Sequence, residues 1–472
     1  MTAGTGDAEK LLDGSMADAA LRLRAGNISA RAITEAALAR AEKITASHNA
    51  FLQIWTNRAL ARADALDALP ADRRGPLHGI PMAHKDCFVI DGYTPTVGSI
   101  VDLPRTARGT ASAIERLEAA GSITIGTLHL SEMVAGPTGQ NPHFGDCLNA
   151  WNPDYISGGS SSGSAVAVAS GVVFASLGSD TGGSIRLPAS ANGCVGLKPT
   201  YGLAPADLTF PRAQSLDCVG PLTRNAQDAM TVTSVIAGSA VDERDAASGR
   251  LLMPTATRIG VIAPSLLGDL DAPIADAWGR SIALLGERLT IRENVDLPHL
   301  ALTYALGDAI SKVEAATLHA RSMARSPQSY SKAVYTRTEP GFLIPAQRYA
   351  EALTLRGRIL RNVIETAFAK ADVLVCPTIP VEIPNRVDAD MERGDAVFEV
   401  VAKITRLTRP FSYLGLPVAS IPIGVDGHGL PIGMQIVGKP HAERRILAVA
   451  RWLMSAAGAE SAQTIFQLQD RR

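Results

Sequence analysis

The sequence predicts an α/β protein, a largely parallel sheet covered by helices on both faces. Three observations predict it. Short apolar runs that suit buried strands alternate with segments of helical spacing, which is how a sheet acquires helices on both faces. The run 165–177 is apolar nearly all round and lies between two Ser/Gly-rich stretches, so it reads as a buried helix leading into a buried strand. No charge run, low-complexity segment or long polar linker divides the 472 residues, 46% of them hydrophobic. The chain therefore reads as a single domain over 1–472, although length alone would allow about three.

Taken in order, apolar positions at helical spacing predict two helices between 16 and 44, broken by Gly26-Asn27-Ile28-Ser29, with Ser29 capping the second. A short strand follows over 51–55, then an Ala-rich helix over 57–69 that ends near Pro70. This helical section, about 15–70, carries no chemistry. Residues 80–83 form an apolar strand with Lys85 at its end. A lysine leaving a buried strand is either a surface residue past the strand end or a buried, functional one. If buried, desolvation lowers its pKa and makes it a usable base. A helix over 111–120 and a strand over 123–128 complete a second strand–helix–strand step. The long irregular loop 131–145 reads as a pocket wall.

Composition excludes several classes. A net charge of −1 leaves no basic patch for nucleic acid and no polybasic membrane anchor. No run reaches the roughly 18 strongly apolar residues of a membrane span, and the opening residues lack the basic-then-apolar pattern of a signal peptide. Five scattered cysteines, never in a Cys-x-x-Cys pair, suit a reduced cytoplasmic protein and neither a disulfide frame nor a zinc site. Cys87 keeps open a cysteine nucleophile. Of nine histidines only His84 and His129 lie near suspicious sequence, and no His-Glu-x-x-His or His-x-His spacing supports a metal.

The centre of the chain is Gly158 to Pro188. It holds Gly158-Gly159-Ser160-Ser161-Ser162-Gly163-Ser164-Ala165 and Gly178-Ser179-Asp180-Thr181-Gly182-Gly183-Ser184-Ile185-Arg186-Leu187-Pro188. A flexible linker would not be interrupted by a buried apolar element. A phosphate loop would need a lysine after Gly163, and none follows. Gly159-Ser160-Ser161-Ser162-Gly163 fits the Gly-x-Ser-x-Gly elbow, a cheap match with serine in the free positions, and that fold would also need an acid and then a histidine downstream. A serine hydroxyl needs an adjacent base, and with no well-placed histidine a neutral lysine acting through a second serine can serve. Thr181-Gly182-Gly183-Ser184 is a tight segment whose N–H groups could converge on an oxyanion.

Beyond this, residues 240–345 alternate weak helices with a strand at 258–262. A helix is predicted over 347–370, a strand over 373–375, two strands over 417–423 and 432–437 as a hairpin across Asp426-Gly427-His428-Gly429, and a last helix over 441–456.

Together these stretches resemble the amidase signature family of serine hydrolases. The matching pieces are Gly79-Ile80-Pro81 through Lys85-Asp86, Gly158 to Ala165, Gly178 to Pro188, Gly196 to Gly202, Ser215-Leu216-Asp217 with Gly220-Pro221-Leu222, and Gly415-Leu416-Pro417. They span most of the chain, about 18–456. Ser162 departs from the commoner glycine.

The resemblance implies one large three-layer α/β/α domain around a central mixed, mostly parallel sheet, with a signature core at about 75–225 and a variable substrate-side region at about 240–345. It implies Ser184 as acylated nucleophile, Ser160 in a cis peptide as proton relay, and Lys85 as neutral base. Thr181, Gly182 and Gly183 would hold the oxyanion together with the Ser184 N–H. Asp180 and Arg186 would brace the loop, Ser161 would position Ser160 or Ser184, and Met133 and Val134 would wall the acyl side. No metal or cofactor is implied. A homodimer is compatible with the family.

The leading functional expectation is a stand-alone amidase or aryl acylamidase. It would cleave small-molecule amide, carbamate (urethane) or ester bonds through an acyl-enzyme, with no nucleic acid or membrane partner. The acyl side is expected from 133–138, 210–212 and 300–345, with an apolar or aromatic group recognised and Arg212 and Tyr330 as the polar hints. One alternative is the amidotransferase subunit that makes glutaminyl-tRNA from glutamyl-tRNA with a partner. Against it stand Leu187, where that subunit usually has glutamine, and the replaced segment 206–214. A second alternative is an inactive binding protein of the same fold.

Overall fold

Eleven strands join in one mixed sheet in the computed structural model, which describes residues 5–102, 108–239, 256–390, 392–393 and 397–458. They are β1 (Phe51–Ile54), β2 (Pro81–Lys85), β3 (Ile123–Leu128), β4 (Ala175–Asp180), β5 (Val195–Lys198), β6 (Cys218–Thr223), β7 (Arg258–Ile262), β8 (Thr290–Val295), β9 (Val373–Pro377), β10 (Val418–Val425) and β11 (Pro431–Gly438). The spatial order is β1-β3-β2-β4-β6-β5-β10-β11-β9-β7-β8. The strands β2, β3 and β4 are buried at every position, as continuous apolar runs between helix layers should be.

The α/β class and the mixed sheet are as expected, but the balance within the sheet is not. Six of the ten neighbouring pairs are antiparallel and four are parallel. The parallel pairs, β2 with β3 and β4, β7 with β8 and β9, all have helices in their connections, as do the antiparallel pairs β1–β3, β4–β6, β5–β10 and β9–β11. Where the connection lacks a helix, as between β5 and β6 or across the short β10–β11 turn, the chain comes back antiparallel. Alternating strands and helices in the first half of the sequence said nothing of this.

The front section forms as its pattern dictates. Helices Met16–Arg24 and Ala30–His48 flank the break, and the Ser29 side chain accepts from the Ala32 N–H at the second N-terminus. A further helix, Thr5–Leu12, precedes them. In the variable region, 240–255 lie outside the described residues. The remainder holds β7, the unforeseen β8 and a long helix, Leu300–Arg325. β8 (Thr-Ile-Arg-Glu-Asn-Val) is mostly exposed and carries no apolar alternation, so nothing in its residues marked a strand.

Two helix groups pack on the sheet. Ser162–Ala169 and Arg186–Asn192 touch each other and lie against the central strands, while Ala226–Ala237 and Glu443–Ala456 form a second group. The helix Ser162–Ala169 is buried at every residue, which explains its small, apolar, non-periodic sequence. No helix among the described residues is long and apolar enough to cross a membrane.

Candidate active site

β2 and β4 are neighbouring parallel strands, so their C-terminal ends, Lys85 and Asp180, emerge at one edge of the sheet. Loops at the carboxyl ends of parallel strands are where α/β proteins assemble sites. Lys85 is fully buried there. Its Nζ donates to Ser160 Oγ at 2.7 Å and to Ser179 Oγ at 2.9 Å. No carboxylate makes an ion pair with it among the described residues. Burial pulls its pKa down to about 8, against smaller opposing pulls from Cys87, Asp217 and Asp180.

Ser160 reaches the lysine from the first Gly/Ser loop, where the Gly159–Ser160 peptide is cis. A Cβ on Gly159 would lie 2.4 Å from the Gly136 carbonyl oxygen, so this approach admits only glycine. Ser161 ties the two loops together. Its N–H donates to the Ser184 carbonyl at 3.2 Å and its hydroxyl to the Ser179 carbonyl at 3.3 Å.

The second loop is held from below by Asp180, which accepts from the Gly183 N–H (2.8 Å), the Ile185 N–H (3.2 Å) and two guanidinium nitrogens of Arg186. Burial alone would raise the Asp180 pKa, but the Arg186 charge outweighs it and holds the carboxyl at about 2. Arg186 also donates to the Thr408 carbonyl, Gln435 Oε1 and Ser412 Oγ, so the brace reaches the C-terminal third of the chain. Gly183 sits at φ 135°, and a Cβ there would meet Thr408 Oγ1 at 2.6 Å. Because the Gly183 N–H is spent on Asp180, the loop's candidate oxyanion donors are the N–H groups of Thr181, Gly182 and Ser184.

Ser184, Thr181 and Gly182 open onto a pocket of about 300 Å³. Val134 to Pro137, Leu187 and Leu216 line one side of it. Tyr304, Asp308, Lys312, Arg337, Thr405 and Arg409 are among the rest. Val134 is in the wall and Met133 is buried out of it. Met133 and Val134 hold positive φ (50° and 60°), unusual for non-glycine residues and a sign of a tightly constrained turn.

The pocket pairs an apolar and aromatic side with a cationic one that was not expected. Arg409 and Lys312 share Asp308, each at 2.6 Å, and Arg409 stacks on Tyr304 with 4.8 Å to the ring centroid. Arg212 is nearly buried and its guanidinium donates to Thr338 Oγ1 and the Arg337 carbonyl. Arg337 has a buried Nε with no hydrogen-bond partner. Burial, then repulsion from Arg409 and Arg212, pulls its pKa down. Neither Arg212 nor Arg337 has a carboxylate ion pair among the described residues.

Other sequence candidates stay outside. Cys87 lies near Ser179, but burial pushes its thiol up to about 12, so no thiolate forms. His84 and His129 are buried and held neutral, at about 3 and about 4, by desolvation. Tyr330 bonds His319 away from the pocket. Ser179 and Arg409 were missed, and Arg337 was covered only as part of the expected 300–345 region. Ser179 was findable, since it stands in the glycine-rich motif one residue before the loop's brace. The two arginines carry no local signal. No cluster of three His, Cys, Asp or Glu suited to a metal occurs among the described residues.

Comparison with known proteins decides the family. The model of the Amidase family matches residues 32–447. The chain belongs to the amidase family. It is accordingly a hydrolase acting on C–N bonds. A crystal structure of an amidase superposes with a TM-score of 0.84 at 33% identity, over 94% of this chain and 99% of that one. The A-type subunit of the glutamyl-tRNA(Gln) amidotransferase of Symbiobacterium thermophilum is 34% identical over 90% of this chain and 93% of its own length. That of Anaeromyxobacter sp. (strain K) is 34% identical over 96% and 98%.

These relatives overturn two expectations. The first is a stand-alone amidase, aryl acylamidase or urethane hydrolase, because the relatives matching nearly end to end are named as amidotransferase subunits. The second is a small-molecule amide as sole partner, alone or in a homodimer, because these relatives are by name each one part of an assembly. Leu187 and the segment 206–214, read in the sequence as evidence against the subunit, do not outweigh the near end-to-end match.

Proposed function

We propose that this amidase-family chain is the ammonia-releasing subunit of a glutamyl-tRNA(Gln) amidotransferase-type assembly, hydrolysing the side-chain amide of glutamine through an acyl-enzyme on Ser184. The observation that carries the chemistry is the buried Lys85–Ser160 hydrogen bond beside the Ser184 loop. With Lys85 neutral, the direction of donation reverses. Ser160 gives its proton to Nζ and takes one from Ser184, whose Oγ bonds to the amide carbon. The carbonyl electron pair moves onto oxygen, where the loop N–H groups receive it. Collapse breaks the C–N bond as the proton returns through Ser160 to nitrogen, and ammonia leaves. Water then attacks the acyl-enzyme, with Ser160 and Lys85 taking its proton, and the ester C–O bond breaks as that proton returns through Ser160 to Ser184 Oγ, releasing glutamate.

The charge of the pocket supports glutamine as the donor. Arg337 and Arg212 offer guanidinium groups without an acid partner to the α-carboxylate, and Asp308 is the acid among the lining residues for the α-ammonium. The near end-to-end match to the amidotransferase relatives supports the assembly and its tRNA. Such a reaction belongs in the cytoplasm.

The test uses the tagged chain isolated from its own cells with the subunits that accompany it. Given glutamine, glutamyl-tRNA(Gln) and ATP with magnesium to activate the glutamyl carboxylate, the parent forms glutamate and glutaminyl-tRNA. Ser184→Ala forms neither from glutamine, yet still amidates the tRNA when ammonium chloride is supplied. Glutamine left unconsumed by the parent, or consumed equally by Ser184→Ala, overturns the reading.

A further inference from the structure

Asp217 belongs to a sequence motif that the proposed chemistry leaves unused, and its contacts join the oxyanion loop to the Arg212 turn. One carboxylate oxygen accepts from the Thr181 hydroxyl, at the start of the loop that carries Ser184. The other accepts from the backbone N–H groups of Arg212 (2.9 Å) and Ala213 (3.0 Å), closing the turn that ends where the Asp217 N–H donates to the Ala213 carbonyl. From that turn the Arg212 guanidinium donates to Thr338 Oγ1 (3.0 Å) and to the Arg337 carbonyl (3.1 Å). A continuous hydrogen-bonded strap thus runs from the oxyanion loop to the arginine wall across the pocket.

We propose that Asp217 is a positioning residue for the reaction at Ser184, its carboxylate tying the Thr181 end of the oxyanion loop to the Arg212 turn and supplying the negative charge against which Lys85 works. The proposal rests on the assignment of Ser184 and Lys85 made above. The charged and titratable groups that sense Asp217 are Lys85, Cys87, Tyr201, Arg212 and Cys218, from four different parts of the chain. Of these only Lys85 and Arg212 carry charge near neutrality. Asp217 precedes Cys218, which pairs with Asp180 across β4 and β6 at the edge where Lys85 emerges, and Arg212, lowered to about 10 by burial, stays charged where Lys85 titrates, so Lys85 is the partner whose titration Asp217 biases. Loss of water contact pushes Asp217 itself up to about 6, opposed by its three hydrogen-bond donors, so the carboxylate is charged where Lys85 loses its proton.

The strap also has the right chemistry for substitutions that separate its two effects. Asp217→Asn keeps an oxygen for the Arg212 and Ala213 N–H groups, but presents an amide N–H to Thr181 and removes the charge. Thr181→Val removes the hydroxyl and keeps the charge.

The experiment measures the rate at which a fluorophosphonate probe labels Ser184 as a function of pH, in the full chain with its accompanying subunits. This readout needs no amide substrate. Ser184→Ala is the control: labelling that persists there fails the reading of the site, not of Asp217. Asp217→Asn should label about tenfold more slowly or worse, and the midpoint of its alkaline rise should move down by about one pH unit, because an uncompensated Lys85 ammonium is easier to deprotonate. Thr181→Val should slow labelling comparably with an unmoved midpoint. A merely structural Asp217 would slow labelling without shifting the midpoint, and that result overturns the proposal. So does an Asp217→Asn protein that labels at the parental rate and midpoint. If Asp217→Asn does not fold, Thr181→Val tests the strap, where a parental rate overturns the proposal, and Asp217→Ser tests the charge, where an unmoved midpoint overturns it and a lowered one upholds it.

Discussion

Lys85 Nζ stands 2.7 Å from Ser160 Oγ in a setting where both side chains are fully buried and no carboxylate pairs with the lysine among the described residues. The burial around that contact sets the pH behaviour of the site. A solvated lysine would stay protonated far above neutrality and could only donate. This one loses its proton near pH 8 because desolvation penalises the ammonium.

Activity should therefore rise with pH through a midpoint close to 8. The sign follows from the base being the neutral form, whose population grows as pH climbs past the lowered pKa. Initial rates of glutamine hydrolysis between about pH 6 and 10 check it, and a flat profile would sink a lysine base. Lys85→Met should reduce the rate by about 100-fold or more at every pH, while circular dichroism remains that of the parent.

Ser179 accepts the second Lys85 bond at 2.9 Å. Ser179→Ala leaves the ammonium one acceptor short and lets Nζ swing from Ser160. The expected result is a fall in kcat of about tenfold with little change in KM, since Ser179 does not line the pocket. A KM effect larger than the kcat effect would place Ser179 in binding instead.

Arg337 should govern affinity for the carboxylate end of the donor. Arg337→Ala should raise KM for glutamine about tenfold or more and leave kcat within a factor of a few. A neutral short amide of similar size should lose nothing. Equal losses for the charged and neutral amides would show that Arg337 acts through packing.

The Asp180–Arg186 pair is fully buried and braces the nucleophile loop to Thr408, Ser412 and Gln435. Arg186→Met strands a buried carboxylate, so stability should drop by about 3–5 kcal/mol. Thermal unfolding reads this directly. The Arg186→Met, Asp180→Asn double variant should recover part of the loss, because the uncompensated charge is gone.

Legibility in the sequence followed how local the determining physics was. The helix Ser162–Ala169 and strands β2, β3 and β4 were readable from the small and apolar residues that full burial leaves in or just before them. β8 was not, since an exposed polar strand has no pattern of its own. Lys85, Ser160 and Ser184 were readable as candidates because a lysine at a strand end and serines among glycines are unusual residues in their places.

The amino-acid sequence by itself determined the α/β class, the family and the candidate triad, because burial patterning and glycine placement are written residue by residue along the chain. Tertiary structure alone decided three things. It made the sheet more antiparallel than parallel through connections whose return direction no residue encodes. It brought Arg337 and Arg409, 153 and 225 positions beyond Ser184, into the wall of its pocket, where guanidinium charges face the apolar lining. And it buried Lys85, which turns an ordinary cation into a base, because the proton affinity of a lysine depends on the water it has lost and not on its neighbours in sequence.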